Sequence, residues 1–311
     1  MSGNVNMALA HASDRLFSLT VFAYALAMFG YAAEFAFTRI ARARGEKVAR
    51  AEAVGRAAVV ITVVGWAMHI GSVVTRGLAA HRVPWGNMYE FSTMVALIAV
   101  TVFLVMLLRQ PVRFLGAFVM TPVVLYLGLA GTVLYVPAAP LQPVLNSYWI
   151  KIHVVAAITA SGAFMVSGVI TMLYLARTWL ERRQGGISYG PGTATAVELN
   201  GLGRWLPSSE RLDRLAYQVI GFAFPVWTFA IIAGAIWAKY AWSRYWGWDP
   251  KETWSFITWV AYAAYLHARA TAGWRGQRAA VLSLIGFSFL MVDYYVVNTV
   301  ISGLHSYAGL N

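Results

Sequence analysis

Long apolar stretches separated by short polar segments dominate this chain. Each is about 20 residues long, the length of helix that crosses the hydrocarbon core of a bilayer. They lie at residues 16–37, 57–75, 90–108, 114–136, 150–176, 216–238, 251–270 and 279–301. The pattern predicts an all-α polytopic membrane protein with about eight transmembrane helices.

The composition agrees with a membrane protein. Hydrophobic residues make up 59% of the 311 positions and charged residues 12%, whereas soluble domains carry about 25% charged residues. The net charge of +12 does not indicate a nucleic-acid partner, because the basic residues lie in short loops between apolar stretches. The chain contains no cysteine, so it has neither a disulfide framework nor a thiol relay of its own.

The distribution of lysine and arginine predicts the orientation in the membrane. Seventeen of the 24 basic residues follow spans one, three, five and seven, and seven lie on the opposite side. The positive-inside rule places the side with 17 in the cytoplasm. Both termini are then extracytoplasmic, and so is the loop between spans six and seven.

We expect two membrane halves. Residues 1–140 form an N-terminal four-helix half, and residues 141–311 form a C-terminal half that carries a tryptophan-rich loop at 239–254. The longest cytoplasmic loop, 177–215, contains the glycine-rich run GGISYGPGT and is predicted to be flexible.

The segment from Trp237 to His267 holds six of the 13 tryptophans. Asp249, Pro250 and Glu252 are typical of a helix start, with an N-cap, a proline at the first helical position and an acid at the third. An interfacial aromatic belt is one interpretation of the tryptophans. The density of rings in one short loop equally favours a functional role.

This loop carries a family resemblance. WGWDPKETW resembles the tryptophan-rich WWD signature of haem-handling proteins that mature c-type cytochromes. The flanking GAIWAKYAW, ITWVAYAAYLHAR and VNTVISGLHSYAG are similar to the CcsA/ResC branch of system II, called CcsB in some bacteria. The resemblance covers roughly residues 145–309.

The resemblance implies a function in c-type cytochrome biogenesis. Proteins of this kind form a cytochrome c synthase with a ResB-type membrane partner. They present reduced haem b on the extracytoplasmic face of the bacterial plasma membrane, where it is attached to the CXXCH thiols of apocytochrome c. A thioredoxin-like protein that keeps those thiols reduced is implied indirectly, and so is movement of haem across the membrane.

Two histidines are predicted to share the outer face with this loop. His153 lies at the outer end of span five, and His305 lies just beyond span eight. Imidazole is a common ligand of haem iron, so a bis-histidine site is geometrically possible. The resemblance implies that these two residues ligate the iron.

His267 lies roughly 27 Å along its helix from the loop, near the cytoplasmic end. Its helical face is small or apolar, through Phe256, Val260, Ala263 and Ala264. A neighbouring helix can pack there. The resemblance implies instead an intramembrane haem ligand that acts with the partner chain. We assign structural roles to His11, His69 and His81.

Other candidate haem-binding residues come from the loop and its flanks. They are Trp237, Trp242, Trp246, Trp248, Trp254, Asp249, Arg244 and Lys251. Indole rings can hold the macrocycle by stacking. The two cations can pair with propionates or act as interfacial anchors. No catalytic side chain is assigned, because the substrate brings both thiols.

Three acidic or amide residues outside the loop remain. In WGNMYEF, Asn87 and Glu90 are predicted to form a capping box that starts span three, with a ligand role as the alternative. Asp293 lies in the outer half of span eight and should face the bundle interior, where it needs a hydrogen-bond donor. A structural hydrogen bond to a neighbouring span is the favoured role, and a contribution to a proton or haem-propionate environment is the alternative.

Two further functions stay open. The chain can be a haem exporter or chaperone that delivers haem to a separate ligase, or a membrane scaffold that orders partner subunits. A second histidine site deep in the membrane favours the synthase over the chaperone, and bound haem excludes the scaffold.

Overall fold

The computed structural model describes residues 5–140, 145, 147–183 and 206–305. Its helices are α1 (Met7–Ala43), α2 (Ala49–Ala80), α3 (Met88–Arg109), α4 (Gly116–Thr132), α5 (Tyr148–Arg183), α6 (Ser209–Trp242), α7 (Pro250–Ala270), α8 (Gln277–Met291) and α9 (Val297–Val300). A 3₁₀ turn, Arg113–Leu115, leads into α4, and a π turn, Val292–Val296, joins α8 to α9. The predicted all-α polytopic fold is confirmed.

Within the described residues, seven segments are long and apolar enough to cross a membrane. They are α1, α2, α3, Arg113–Thr132, α5, α6 and Gln277–Val300. The eighth predicted span, α7, is not among them, because tryptophan, tyrosine, histidine and arginine lower its mean hydropathy. It nevertheless packs antiparallel along α8: Trp254, near its start, contacts Phe289, and Tyr262 contacts Gly286 one helical turn earlier in α8.

Several helices extend beyond the predicted spans. Helix α1 begins at Met7 rather than near residue 16, and α5 continues to Arg183. The apolar pattern marks only the part of a helix that suits the bilayer core, whereas the backbone hydrogen bonds continue into the polar ends. The glycine-rich run GGISYGPGT lies outside the described residues.

Helix α5 forms the centre of the bundle. In its most apolar window 83% of the residues are buried, against 28–44% in the other six candidate spans. Small residues allow this close packing. At Gly162, for example, a Cβ would lie 2.8 Å from the carbonyl oxygen of Val95 in α3.

The two predicted halves are in direct contact. Helix α3 packs on α5 and on the C-terminal helices, where the Tyr294 hydroxyl donates to the Met88 carbonyl at 2.8 Å and lies 2.6 Å from Ser92 Oγ. One apolar core contains residues from all eight long helices. These bonds connect the start of α3, directly after the α2–α3 loop, to the π turn that precedes α9 and His305.

The start of α3 follows the predicted cap only in part. The Asn87 side chain accepts from the Glu90 N–H at 2.9 Å, as expected of an N-cap. Glu90 does not complete a capping box. Its carboxylate accepts from the Gly86 N–H and from the guanidinium groups of Arg76 and Arg82, all within 2.9 Å. The side chain is buried and forms an ion network below the loop.

Candidate functional site

A cavity opens at the end of the bundle where the α2–α3 loop, the α6–α7 loop and the segment after α9 meet. Its empty space, including the space open to solvent at its mouth, is about 1400 Å³. Its candidate site residues are His153, His305, Trp237, Trp242, Trp246 and Lys251.

His153 reaches the cavity from the second turn of α5. Its Nδ1 lies 2.8 Å from the carbonyl oxygen of Ala230 in α6. A carbonyl only accepts, so Nδ1 carries the proton and the lone pair of the neutral ring is on Nε2. Gly234 allows the ring to lie against α6, because a Cβ there would be 2.7 Å from Nδ1.

His305 reaches the same cavity from the end of the described chain. Its Nδ1 lies 2.8 Å from Asp249 Oδ1. A carboxylate acceptor again fixes the proton on Nδ1 and the lone pair on Nε2. The ring lies edge-on to Trp242 at 5.0 Å and tilted against Trp237 at 6.1 Å, measured between ring centroids.

Asp249 is both the cap of α7 and the partner of His305. The predicted capping box is present, with Glu252 bonded back to the Asp249 N–H. The second carboxylate oxygen accepts from the Leu304 N–H at 2.7 Å. Burial raises the pKa of Asp249, but the hydrogen bonds from His305, Leu304 and Lys251 outweigh burial and lower the pKa from 3.8 to about 2.

Glu252 holds the tryptophan-rich loop in place. Its Oε2 accepts from the Gly247 N–H at 2.8 Å and from the Asp249 N–H at 3.1 Å. The loop begins and ends with left-handed residues, Ser243 at φ 59° and Trp248 at φ 57°. The backbone therefore turns sharply at both ends, and the side chains point in different directions.

As a result, the tryptophans of the signature separate into two groups. Trp237, Trp242 and Trp246 line the cavity. Trp248 is 66% exposed, and Trp254 packs edge-on against Phe289. Neither Trp248 nor Trp254 lines the cavity.

The two candidate cations also differ. Lys251 lines the cavity and bonds to the C-terminal helices. Arg244 packs against Gly247, 4.0 Å from the Glu252 carboxylate, and does not line the cavity. Lys251 is therefore the cation of the pair that a ligand in the cavity would meet.

His267 lies away from this cavity. It is exposed near the C-terminal end of α7, on the same outer face as Phe256, Val260 and Ala264. The structure thus places His153 and His305 together and leaves His267 on the outside of the bundle. His69, in contrast, is fully buried, with Nδ1 3.3 Å from the Tyr24 hydroxyl.

The cavity wall also includes residues that the sequence left unassigned or gave a ligand role only as an alternative. Trp85, Gly86, Asn87 and Met88 line it from the N-terminal half, and so does Asp293. The predicted cap at Asn87 is real, but the same turn also faces the cavity. Trp85, a tryptophan outside any predicted span, was the sequence feature that could have indicated this part of the wall.

Comparisons with known proteins identify the family of this chain. The model of the family described as cytochrome C assembly protein matches residues 85–305. The match begins at the tryptophan that opens the cavity wall in the N-terminal half and ends at His305. It therefore extends well before residue 145, where the resemblance in the sequence began.

Curated relatives are similar over much of the chain. Cytochrome c biogenesis protein CcsA of Gloeobacter violaceus is 36% identical over 283 residues, covering 78% of this chain and 83% of the relative. The CcsA protein of Guillardia theta is 40% identical over 183 residues, covering 56% of this chain and 58% of the relative.

A solved structure shares the fold. The cytochrome c heme lyase CcmF matches with a TM-score of 0.61 at 16% identity, over 90% of this chain. This chain spans about half of that protein, 46% of its length. The family match and the CcsA relatives show that this multi-pass membrane protein belongs to the cytochrome c assembly protein family and acts in cytochrome c biogenesis.

Proposed function

We propose that this chain binds haem in the outer cavity, with His153 and His305 as its two axial ligands, and presents it for attachment to apocytochrome c. One observation carries the proposal. The two imidazoles come from distant parts of the chain, line one cavity, and each donates its Nδ1–H to a protein acceptor. Metal-ligating histidines characteristically hold their second nitrogen in this way.

The residues of the cavity fit haem in other respects. Two imidazoles complete the coordination of an iron whose other positions are taken by a porphyrin. Five indoles line the cavity, three of them from the tryptophan-rich segment, and supply flat apolar surface for the macrocycle. Lys251 supplies a cation for a propionate.

Haem supplies two vinyl groups, and the apocytochrome supplies two cysteine thiols. Each S–H adds across a vinyl C=C, forming one C–S bond and one C–H bond, so this chain need not provide a nucleophile. Its residues bind, orient and exclude water. His153 and His305 hold the iron, Asp249 and Ala230 fix the orientation of the two rings, and the tryptophans shield the cavity.

The orientation of the protein follows from its charge. With the basic loops in the cytoplasm, the cavity opens on the extracytoplasmic side of a bacterial plasma membrane. That is the side on which an exported apocytochrome meets the haem.

His267 belongs in this proposal to a second, inner haem site shared with a ResB-type partner. The support is its exposure on an apolar face of α7 that no described helix covers. A partner helix that supplies the second axial ligand fits such a face. Together with that partner, the chain acts as a holocytochrome c synthase.

The test is haem content and covalent attachment in the purified complex. We expect a Soret band in the wild type and thioether-linked product when reduced haem and a CXXCH peptide are supplied. His153→Ala and His305→Ala should each lose most of the outer haem. His11→Ala is the matched control, because His11 is exposed on α1. Haem binding without covalent product, even with the partner present, would support a haem carrier. No haem in the wild type would contradict the proposal.

A further inference from the structure

The cavity contains a buried carboxyl group with an unused oxygen. Asp293 is 3% exposed and lines the cavity. Its Oδ2 lies 3.5 Å from Lys251 Nζ. Its Oδ1 is buried and has no hydrogen-bond partner among the described residues. A buried carboxyl oxygen is normally satisfied, so this one is available to a ligand group.

The backbone is distorted at this residue. Asp293 lies in the π turn Val292–Val296, where the Val297 N–H bonds to the Val292 carbonyl five residues earlier. Two side chains bond to carbonyls within the turn: Lys251 Nζ donates to Asp293 at 2.8 Å, and Asn298 Nδ2 donates to Tyr294 at 2.6 Å. Single π turns inside α-helices occur frequently at functional sites.

Lys251 has hydrogen-bonding capacity left. An ammonium group has three donors, and the bond to the Asp293 carbonyl uses one. The Asp293 carboxylate at 3.5 Å is too distant for a good hydrogen bond. The side chain is 24% exposed and lines the cavity, so a donor can reach a ligand there.

Charge balance decides which ligand group suits this place. Lys251 and an ionised Asp293 together are neutral, so a second carboxylate would add an uncompensated charge in a largely buried site. One proton held between the two carboxyl groups removes that charge. The result is one ammonium and two carboxyls that share one proton, which is neutral again.

We infer that Lys251 and Asp293 form a subsite for a carboxyl group of the ligand, with Lys251 donating to it and Asp293 sharing a proton with it. The inference rests on the proposed function, in which that group is a propionate of haem. It assigns Asp293 a role in ligand binding and orients the macrocycle with one propionate edge towards α8 and α9.

The test compares haem with its dimethyl ester, which keeps the iron and vinyl groups but has no free carboxyl. Wild-type protein should bind haem about tenfold more tightly than the ester, the effect of one hydrogen bond to a charged group. Lys251→Met should abolish this preference by weakening haem binding more than ester binding. In the wild type the preference should fall as the pH rises and the shared proton is lost, whereas Asp293→Ala keeps the ammonium, needs no shared proton and should show no such fall. Asp293→Asn should keep most of the preference, because its amide can donate to a carboxylate.

Lys239→Met is the matched control, since Lys239 is exposed and does not line the cavity. Equal affinity of the wild type for haem and ester would overturn the inference. So would equal weakening of both probes in Asp293→Asn and Asp293→Ala, which indicates a purely structural ion pair. If the wild type binds neither probe, the proposed function itself fails, and the subsite fails with it.

Discussion

Asp249 Oδ1 lies 2.8 Å from Nδ1 of His305, across 56 residues of sequence. The same carboxylate caps α7 and accepts from the Leu304 backbone. A single side chain therefore fixes the start of a helix, the position of the C-terminal segment and the tautomer of a candidate iron ligand.

Replacing Asp249 should separate its two roles. Asp249→Ala removes the cap, at about 1 kcal/mol, and removes the acceptor for His305, which for a partner of a metal ligand typically costs 10–100-fold in affinity. Asp249→Asn keeps the cap and should lose less haem affinity than Asp249→Ala. Ser208→Ala is the control, because it removes a similar N-cap from α6 away from the cavity. If Ser208→Ala lowers haem affinity as much as Asp249→Ala, the loss is general destabilisation.

Acid should break the contacts of Asp249, and so disorder the end of the tryptophan-rich loop, at a higher pH than the one that unfolds the helix bundle. The folded pKa of Asp249 is about 2, below its ordinary value of 3.8. The contribution of the carboxylate to stability is therefore complete above about pH 4 and lost as the pH falls towards 2. Tryptophan fluorescence of the wild type should change over this range, and Asp249→Asn should lack this component. An identical acid profile in both proteins would contradict the assignment.

Gly234→Ala should weaken haem binding without unfolding the protein. The new Cβ would lie 2.7 Å from His153 Nδ1, so the ring must move away from the Ala230 carbonyl. Gly221→Ala is a matched control on the same helix, because no atom of the described residues would lie within 4 Å of its Cβ. The control should be neutral or slightly stabilising, by about 0.5–1 kcal/mol. Equal haem affinity in both variants would show that the close contact between Gly234 and the His153 ring does not matter for haem binding.

Glu90 should matter for stability more than other acids near helix starts. Glu90→Gln leaves the Arg82 guanidinium without its carboxylate and leaves Arg76 only the more distant Asp14, at 4.0 Å. Breaking a buried ion pair costs about 3–5 kcal/mol. Thermal unfolding in detergent should show a clear drop in Tm. Glu52→Gln is the comparison, since Glu52 forms only an exposed pair with Arg56 at 3.9 Å. A similar Tm for both variants would show that the network is not needed.

The absence of cysteine allows a direct test of orientation. Tyr245→Cys introduces a single thiol in the tryptophan-rich loop, at a position that is 59% exposed. Arg275→Cys introduces one in the exposed loop between α7 and α8. A membrane-impermeant maleimide should label the first in intact cells and the second only after permeabilisation. The reverse pattern would invert the topology.

The sequence predicts what depends on local signals. Asp249, Pro250 and Glu252 are adjacent, so their helix start could be derived from spacing alone. The bond from Asp249 to His305 could not, because it depends on how α9 returns to the start of α7. Likewise, spacing does not reveal that Trp246 faces the cavity and Trp248 faces solvent, since the left-handed turn at Trp248 decides this.

Asp293 is a second residue for which the sequence predicts only part of the structure. Hydropathy places a carboxyl group in the outer half of a span and requires a donor for it, and the structure supplies Lys251. The π turn that positions the carboxyl group has no sequence signature in VDYYV. The division into residues 1–140 and 141–311 stays a prediction.

The most direct test of the account is the coordination of iron in the purified protein. The wild type should give the electron paramagnetic resonance spectrum of six-coordinate, low-spin ferric haem with two imidazoles. Histidine labelled with ¹⁵N should change the nitrogen couplings of both axial ligands. The outer haem that His153→Ala or His305→Ala still retains should be high-spin, and added imidazole should return it to low spin. An unchanged low-spin spectrum in the double variant His153→Ala/His305→Ala, with His267 also replaced so that the inner site contributes no signal, would contradict the central claim.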